Sequence, residues 1–485
     1  MVDRQGWAVR GTVLGALAAS GLLAVAINGC SSATRAPSGF GDAKDAGLDT
    51  GSPDSQPGPS LIGDDASLKC DDLLCQVDTT CGDSPTTLTG KVFDPAGTTP
   101  LYNAIVYIPR SRQDALPPIK DSTKDGVSCD RCGATAINPL AVALTNTKGE
   151  FTLTDVPVDK DVPIVVQIGK WRRKMSIDIT KRCDVNKAPE TDRDKVLRLP
   201  RNGKEGDMPH VAVTTGGCDQ LECLLRGMGV DDSEFVVGNS TAGHIHMFQG
   251  SGGGGGFSGI ASANANQTFW NDSKLMLKYD ITMLSCECSD NTPNPNPDNA
   301  RLQMIDYVNK GGRVFGSHYH VTWMRNAPDT NFKNVATFPP NEGSATDGVH
   351  FIETQLGIGG VFPKGKAMAE WLFNIGSSTK LGEIQLKNTR AGVLSTNALL
   401  SQAWIKSSTG APRYFSFNTP IGAPEKDICG RFVFADLHVM DSSGTFPSSC
   451  PAPGGLNAQQ KALEFMFLDL SSCVQSDKEP PIIPK

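Results

Sequence analysis

Residues 279–323 constrain the fold more than any other stretch, because two short apolar runs flank one amphipathic pattern there. Ile281, Met283 and Leu284 make a run of the kind buried on both faces of a sheet, and residues 314–316 make a second. Between them Leu302, Ile305 and Val308 recur at helical spacing, Pro297 sits where a first turn accepts proline, and Gly311-Gly312 stops the helix. A right-handed crossover makes the two strands parallel neighbours or near neighbours in one sheet. Cys286, Glu287, Cys288, His318 and His320 then fall just past the carboxyl ends of the strands, the edge at which open α/β sheets bind ligands.

At 485 residues the chain exceeds one ordinary core, which predicts two domains and tails. It carries 45 Lys and Arg against 52 Asp and Glu, with the basic residues scattered, so no nucleic-acid partner is expected. Arg4 and Arg10 precede an apolar stretch over 13–27, the length of a secretory signal core and short for a membrane span. The stretch ends Ile27-Asn28-Gly29-Cys30, which resembles a bacterial lipobox with an unusual Asn28. That resemblance implies a signal peptide over 1–29 and lipidation of Cys30, so the expected partner is a membrane reached through the lipid. Residues 30–85 read as the lipidated cysteine and a disordered tether rich in Ser, Pro, Gly and Asp, too poor in apolar side chains to offset the entropy of ordering. Ser31 resembles the outer-membrane retention pattern, which implies an outer-membrane lipoprotein or a place at the cell surface. An exported chain with 14 cysteines should form disulfides, and lipidation of Cys30 leaves an odd number. At least one thiol is then free, metal-bound or paired with another chain.

From Thr87 the pattern turns to short alternating strands at 88–92, 104–108, 141–144, 151–153, 164–168, 175–179 and 196–199. Asn146-Thr147-Lys148-Gly149 reads as a hairpin turn between two of them. The expectation is an all-β sandwich over 86–200. The runs LTGKVFDPAGTTPLYNAIVYIP and NTKGEFTLTDVP resemble the carboxypeptidase regulatory-like, transthyretin-like sandwich domain. The resemblance implies a non-catalytic module that spaces, docks or binds. An insertion over 111–138 carries Cys129-Asp130-Arg131-Cys132, which reads as a structural clip, a metal half-site or a redox pair. Lys170-Trp171-Arg172-Arg173 reads as a cationic contact surface or as a hairpin with a packed Trp and solvated charges.

A second domain is expected over 208–474, α/β with a mostly parallel sheet, followed by a disordered tail over 475–485. Strand 210–214, the turn Gly216-Gly217 and a helix with Leu221, Leu224, Leu225 and Met228 on one face open it. The two glycines suit either an anion held by backbone amides or close packing, since no complete dinucleotide or P-loop motif surrounds them. Residues 243–248 give another strand, and the long, irregular 324–428 reads as an insertion or a lid over the sheet edge. Asn457 caps a last helix with Leu463, Met466, Phe467 and Leu470 on its apolar face. The succession DMPHVAVTT, KLMLKYDITMLS, LQMIDYVNKGGRVFGSHYH and FNTPIGAPEKDICGRFVFADLHV resembles the trehalose-utilisation (ThuA-like) family. That family has the class I glutamine amidotransferase-like fold, which implies a flavodoxin-like three-layer domain. Amidotransferases place a nucleophilic cysteine directly after the strand of GGxVxG type. His318 occupies that position here, so amidotransfer by that route is excluded. In the flavodoxin-like strand order the first strand lies beside 279–285, which predicts a disulfide between Cys218 or Cys223 and Cys286 or Cys288.

All seven histidines, His210, His244, His246, His318, His320, His350 and His438, lie in this second domain. Histidines two apart on an extended chain face one side, so His244 with His246, and His318 with His320, are each able to chelate an ion. Asp436 and His438 share a face of the closing strand, which makes Glu287, His318, His320, Asp436 and His438 the candidate catalytic set. His318, His320, His438 and Asp436 are the candidate ligands of a divalent metal such as zinc, while Gly216, Gly217, Glu287 and His318 would line a ligand site. The same histidines could instead hydrogen-bond strand ends and one another. Two functions stay open: a surface-anchored module binding a carbohydrate or other small polar ligand, and a hydrolase, metal-assisted or using His and a carboxylate as acid and base. No complete catalytic triad or metalloprotease signature selects the enzyme.

Overall fold

The computed structural model describes residues 72–132, 139–253, 266–291, 296–440 and 445–483, all within one compact unit, Leu68–Lys485. The expected signal peptide, Cys30 and the expected tether as far as residue 71 lie outside the described residues. The end of the expected tether is held down. Leu73 in the short turn Asp72–Gln76 is fully buried, and the Asp72 carboxylate accepts the Arg112 amide and guanidinium at 2.6 and 2.7 Å. A Cys81–Cys183 disulfide fastens the next segment.

Eight strands follow: β1 (Thr87–Phe93), β2 (Ile105–Ile108), β3 (Ala141–Leu144), β4 (Glu150–Thr154), β5 (Asp159–Ile168), β6 (Trp171–Ile179), β7 (Val185–Lys187) and β8 (Leu197–Arg198). They form two four-stranded sheets, β4-β1-β7 with β8 also on β1, and β3-β2-β5-β6. Leu88, Val92, Phe151 and Leu153 of the first share one core with Val106, Ile108, Ile164 and Val166 of the second. The turn at Asn146 forms as expected, its Oδ1 accepting the amides of Lys148 and Glu150 at 2.9 and 3.0 Å. It is not a hairpin, however, because the strands it joins belong to different sheets. Trp171 is fully buried, and its charged neighbours are buried and paired rather than solvated: Lys170 on Asp280 at 2.6 Å and Arg172 on Asp207 at 2.8 Å.

The remaining strands are β9 (Val211–Thr214), β10 (Phe235–Val237), β11 (Ile245–Phe248), β12 (Ile281–Leu284), β13 (Arg313–Ser317), β14 (Ala336–Thr337), β15 (Gly348–Ile352), β16 (Glu383–Leu386), β17 (Ser395–Thr396), β18 (Gln402–Lys406), β19 (Pro412–Thr419) and β20 (Gly430–Ala435). Ten of them build one mixed sheet in the order β10-β11-β9-β12-β13-β20-β19-β18-β15-β16. The first six are parallel, and the last four continue antiparallel from β20. Residues 324–428 therefore extend the sheet as an insertion and pair the edge of β20 that would otherwise be open, while loops between their strands bring Glu342 and Arg390 to the carboxyl ends of β13 and β20.

β12 and β13 are the expected parallel neighbours, with Ile281 opposite Arg313 and Leu284 opposite Gly316. The helix Pro297–Asn309 joins them, capped by Asn296, whose side chain accepts the Asn299 amide. Its buried stripe is Arg301, Met304, Ile305 and Val308, and Leu302, expected on that face, is 50% exposed because it lies to one side of the stripe. Both faces of the sheet are covered. Val211, Val213, Met283, Phe315 and Val433 pack with Leu463, Met466 and Phe467 of the helix Ala458–Ser471, and Ala212, Leu284, Val314 and Phe432 pack with Met304 and Val308 on the other side.

Disulfides settle the Cys129–Cys132 stretch. Neither cysteine bonds the other: Cys129 joins Cys429 and Cys132 joins Cys473, so the insertion is clipped onto the α/β part. The predicted cross-pair forms as Cys218–Cys288, with a Cα separation of 5.1 Å, and Cys223 bonds Cys450. So many disulfides fit an oxidising compartment. Among the described residues no helix is long and apolar enough to cross a membrane. The start of the tail is anchored rather than loose, since Asp477 lies 3.0 Å from the Arg431 guanidinium.

Candidate metal centre

β12, β13 and β20 are consecutive parallel strands, so their carboxyl ends open side by side, and each contributes one side chain to a buried cluster. Cys286 stands two residues past β12, its amide donating to Ser317 Oγ at 3.2 Å and its carbonyl accepting the Cys218 amide at 3.0 Å. His318 is the first residue after β13 and has φ of +42°, a left-handed conformation that a non-glycine residue adopts at a cost of about 1–3 kcal/mol. The chain turns there from strand into the 3-10 turn His318–Val321. His438 stands three residues past β20, its amide donating to Asn388 O at 3.0 Å and its carbonyl accepting Gln459 Nε2 at 2.9 Å.

Cys286 Sγ lies 3.3 Å from His318 Nδ1, and His438 Nε2 lies 2.9 Å from the same nitrogen. The three atoms are all within 4.8 Å of one another. Two charged groups flank them. Glu342 holds the far side of His318, with its oxygens 3.0 and 3.1 Å from Nε2, and Arg390 reaches the far side of His438, with Nη2 3.2 Å from Nδ1. A guanidinium only donates and a carboxylate only accepts, which orders the protons along the chain. His438 Nδ1 accepts from Arg390, His438 Nε2–H donates to His318 Nδ1, and His318 Nε2–H donates to Glu342. Burial holds both imidazoles below their usual range, His438 down to about 3 with help from His318 and Arg390, and pushes the Cys286 thiol up to about 12. The cluster is therefore a thiol and two neutral rings.

Asp436 does not join it. Its carboxylate accepts the amides of Gly392 and Val393 at 3.3 and 3.1 Å, and its carbonyl accepts the Arg390 amide at 2.8 Å. Burial, offset in part by Arg413, lifts this acid to about 7. Its role is to bind the loop that delivers Arg390. His320 is also occupied elsewhere, donating from Nε2 to Ser285 O at 2.8 Å and accepting Trp323 Nε1–H at Nδ1 at 3.0 Å. The expected chelating pair with His318 fails because the backbone leaves the extended form after Ser317, at His318. Glu287 accepts the Ser251 amide at 3.0 Å and Asn291 Nδ2 at 2.7 Å, and also takes a hydrogen bond from Asn266. It fastens neighbouring loops and makes no contact with His318. Gly216 and Gly217 serve close approach: a Cβ on Gly216 would stand 2.2 Å from Cys286 O, and the Gly217 amide already donates to Ser251 O at 3.1 Å. His244 bonds Glu234, while His246 bonds Tyr279 and the Ala242 carbonyl, so this pair is no chelate.

Three participants went unassigned from the sequence. Cys286 was signalled by the odd cysteine count and is the free thiol among the described residues. Glu342 and Arg390 lie in the irregular 324–428, where no local pattern marks them.

No protein-family model matches the chain, and no curated protein does. Among solved structures it is similar to the Cytoplasmic Protein STM3548 from Salmonella typhimurium, at 12% identity over 54% of this chain and 98% of that one, with a TM-score of 0.28. An N-terminal interface mutant of a type II cohesin–X-dockerin complex from Acetivibrio cellulolyticus matches at 11% identity over 32% of this chain and 78% of that one, with a TM-score of 0.12. At these TM-scores neither likeness bears on fold or on function.

Proposed function

We propose that the chain is an exported, membrane-anchored metal-dependent hydrolase whose ion is held by Cys286, His318 and His438. The observation that carries this reading is the convergence, within 4.8 Å, of one sulfur and two imidazole nitrogens from three neighbouring strand ends. One thiolate and two neutral imidazoles suit zinc, and three protein ligands leave a position for water or substrate. Ligand nitrogens about 2.0–2.1 Å from a tetrahedral ion stand roughly 3.3 Å apart, so His318 Nδ1 and His438 Nε2, 2.9 Å apart here, need part only by a few tenths of an ångström. Glu342 on the outer nitrogen of His318 is the kind of carboxylate that orients a metal-bound ring. Cys286, His318 and His438 would hold the ion, which would supply an activated water for hydrolysis of a small polar substrate such as a carbohydrate.

The rest of the chain supports this reading. The strand order β11-β9-β12-β13-β20 suits a flavodoxin-like, ThuA-like domain, and the two sheets with a shared core suit a carboxypeptidase regulatory-like sandwich that spaces or docks it. The disulfides suit the periplasm or cell surface, with Cys30 as the lipid anchor in the outer membrane.

Elemental analysis tests the centre. Purified protein should hold about one zinc per chain, removable by chelator, and both Cys286→Ser and His438→Ala should lower zinc affinity at least about tenfold. The metal-free variants should melt within a few degrees of metal-free wild type. Wild type that takes up no zinc overturns the proposal, and tight glycan binding by such metal-free protein would make it a binding module instead.

A further inference from the structure

We infer that Arg390 recognises an oxyanion group on the substrate, and that loading the metal is what releases it to do so. The inference rests on the metal reading above and names the substrate class of that site. The other buried guanidiniums near the sheet each face a carboxylate or several carbonyls, although the Nε atoms of Arg413 and Arg431 also lack a hydrogen-bond acceptor among the described residues. Arg431 pairs with Asp477 at 3.0 Å, Arg413 sits 3.7 Å from Asp436, and Arg313 donates to the carbonyls of Leu470 and Ser472 at 3.0 and 2.6 Å. Arg390 differs. It is half-buried and takes part in none of the ion pairs among the described residues, and its Nε, like those of Arg413 and Arg431, is buried with no acceptor there. Among the described residues the one hydrogen bond of its side chain goes to a neutral imidazole, His438 Nδ1. A cation held partly out of water without a counter-charge is costly, and a planar fork of five donors fits a carboxylate, phosphate or sulfate.

Position and tautomer then link this cation to the ion. Arg390 lies against one nitrogen of His438 while the other nitrogen faces Cys286 and His318, so an oxyanion on the guanidinium sits beside the metal position. With Arg390 donating to Nδ1, the proton of His438 must be on Nε2. A metal needs the Nε2 lone pair, so on loading that proton passes through solvent to Nδ1, and the thiol proton of Cys286 leaves to solvent. Two N–H groups then face each other across the former hydrogen bond, and the guanidinium turns away with its donors free. Ion and oxyanion therefore bind cooperatively, and by linkage each tightens the other by the same factor.

Cobalt(II) on the full chain tests this, since its thiolate charge-transfer and ligand-field bands report both loading and a change at the ion. Sulfate and acetate are the probes, one tetrahedral and one planar. Cobalt-loaded wild type should bind at least one of them about tenfold or more tighter than metal-free protein, and that anion should tighten cobalt equally. Arg390→Gln should still bind one cobalt with the same thiolate band, which shows the centre intact, while the coupling disappears. Retained coupling in Arg390→Gln, or equal anion affinity with and without cobalt in wild type, overturns the inference and leaves the metal reading standing. Failure of wild type to bind cobalt at all overturns both. Preference for sulfate assigns a phosphoryl- or sulfate-bearing substrate, and preference for acetate a carboxylate.

Discussion

Glu222 is fully buried, and neither of its carboxylate oxygens has a hydrogen-bond partner among the described residues. Burial, opposed by its own amide and helped by Asp219, raises its acid from 4.5 to about 8. The folded chain therefore keeps a proton that the unfolded chain releases near 4.5, so Glu222 makes stability fall as pH rises from about 4.5 through about 8, by at most about 1.4 kcal/mol per pH unit. Glu222→Gln keeps the shape and removes the titration. Its urea midpoint should gain steadily on wild type between about pH 5 and pH 8. A difference that stays constant over that range would mean that Glu222 is ionised in the fold.

Gly216 belongs to the turn after β9, where it lets one strand end close on the next. An added Cβ would meet Cys286 O at 2.2 Å and Ser285 O at 2.6 Å, both backbone atoms that cannot rotate aside. At Gly217 the nearest obstacle is Gly252 at 3.2 Å, an easier contact. Gly216→Ala should cost about 1–3 kcal/mol and weaken zinc at least about tenfold by displacing Cys286, while Gly217→Ala should do distinctly less of both. Equal effects in paired melting and zinc titrations would show that this approach does not position the thiol. The same element marks where the sequence could be read. The β12-helix-β13 unit was legible because its apolar spacing is local and the handedness of a crossover is general. His318 and His438 were legible as strand ends. His320 was misplaced because strand periodicity was carried three residues beyond Ser317, past His318, where the backbone bends. Glu342 and Arg390 depend on antiparallel pairing that begins at β20 and spans 324–428, and contacts of that range leave no periodic trace.

At the scale of the molecule, the two four-stranded sheets and the insertion over 111–138 are bound to the α/β part by covalent and polar ties together. Arg313 donates to Asp130 O at 3.4 Å, Lys170 beside Trp171 meets Asp280, and two disulfides reach across 300 and 341 residues of chain. That span has a consequence for time rather than for stability. In a chain delivered amino end first into an oxidising space, Cys129 and Cys132 arrive together, long before Cys429 and Cys473. Each is then the other's nearest thiol, and closing so short a loop is fast. The first bond to form should be the wrong one, Cys129–Cys132, and the mature pairing can arise only by thiol–disulfide exchange once the carboxyl end is present. Acid-trapped early oxidation products should show the 129–132 linkage by peptide mass mapping, and a disulfide isomerase should raise the yield of mature protein severalfold over oxidant alone. Mature pairing at full yield without an isomerase would contradict this. The supply of the finished protein would then follow the shuffling capacity of its compartment, not the rate of its synthesis.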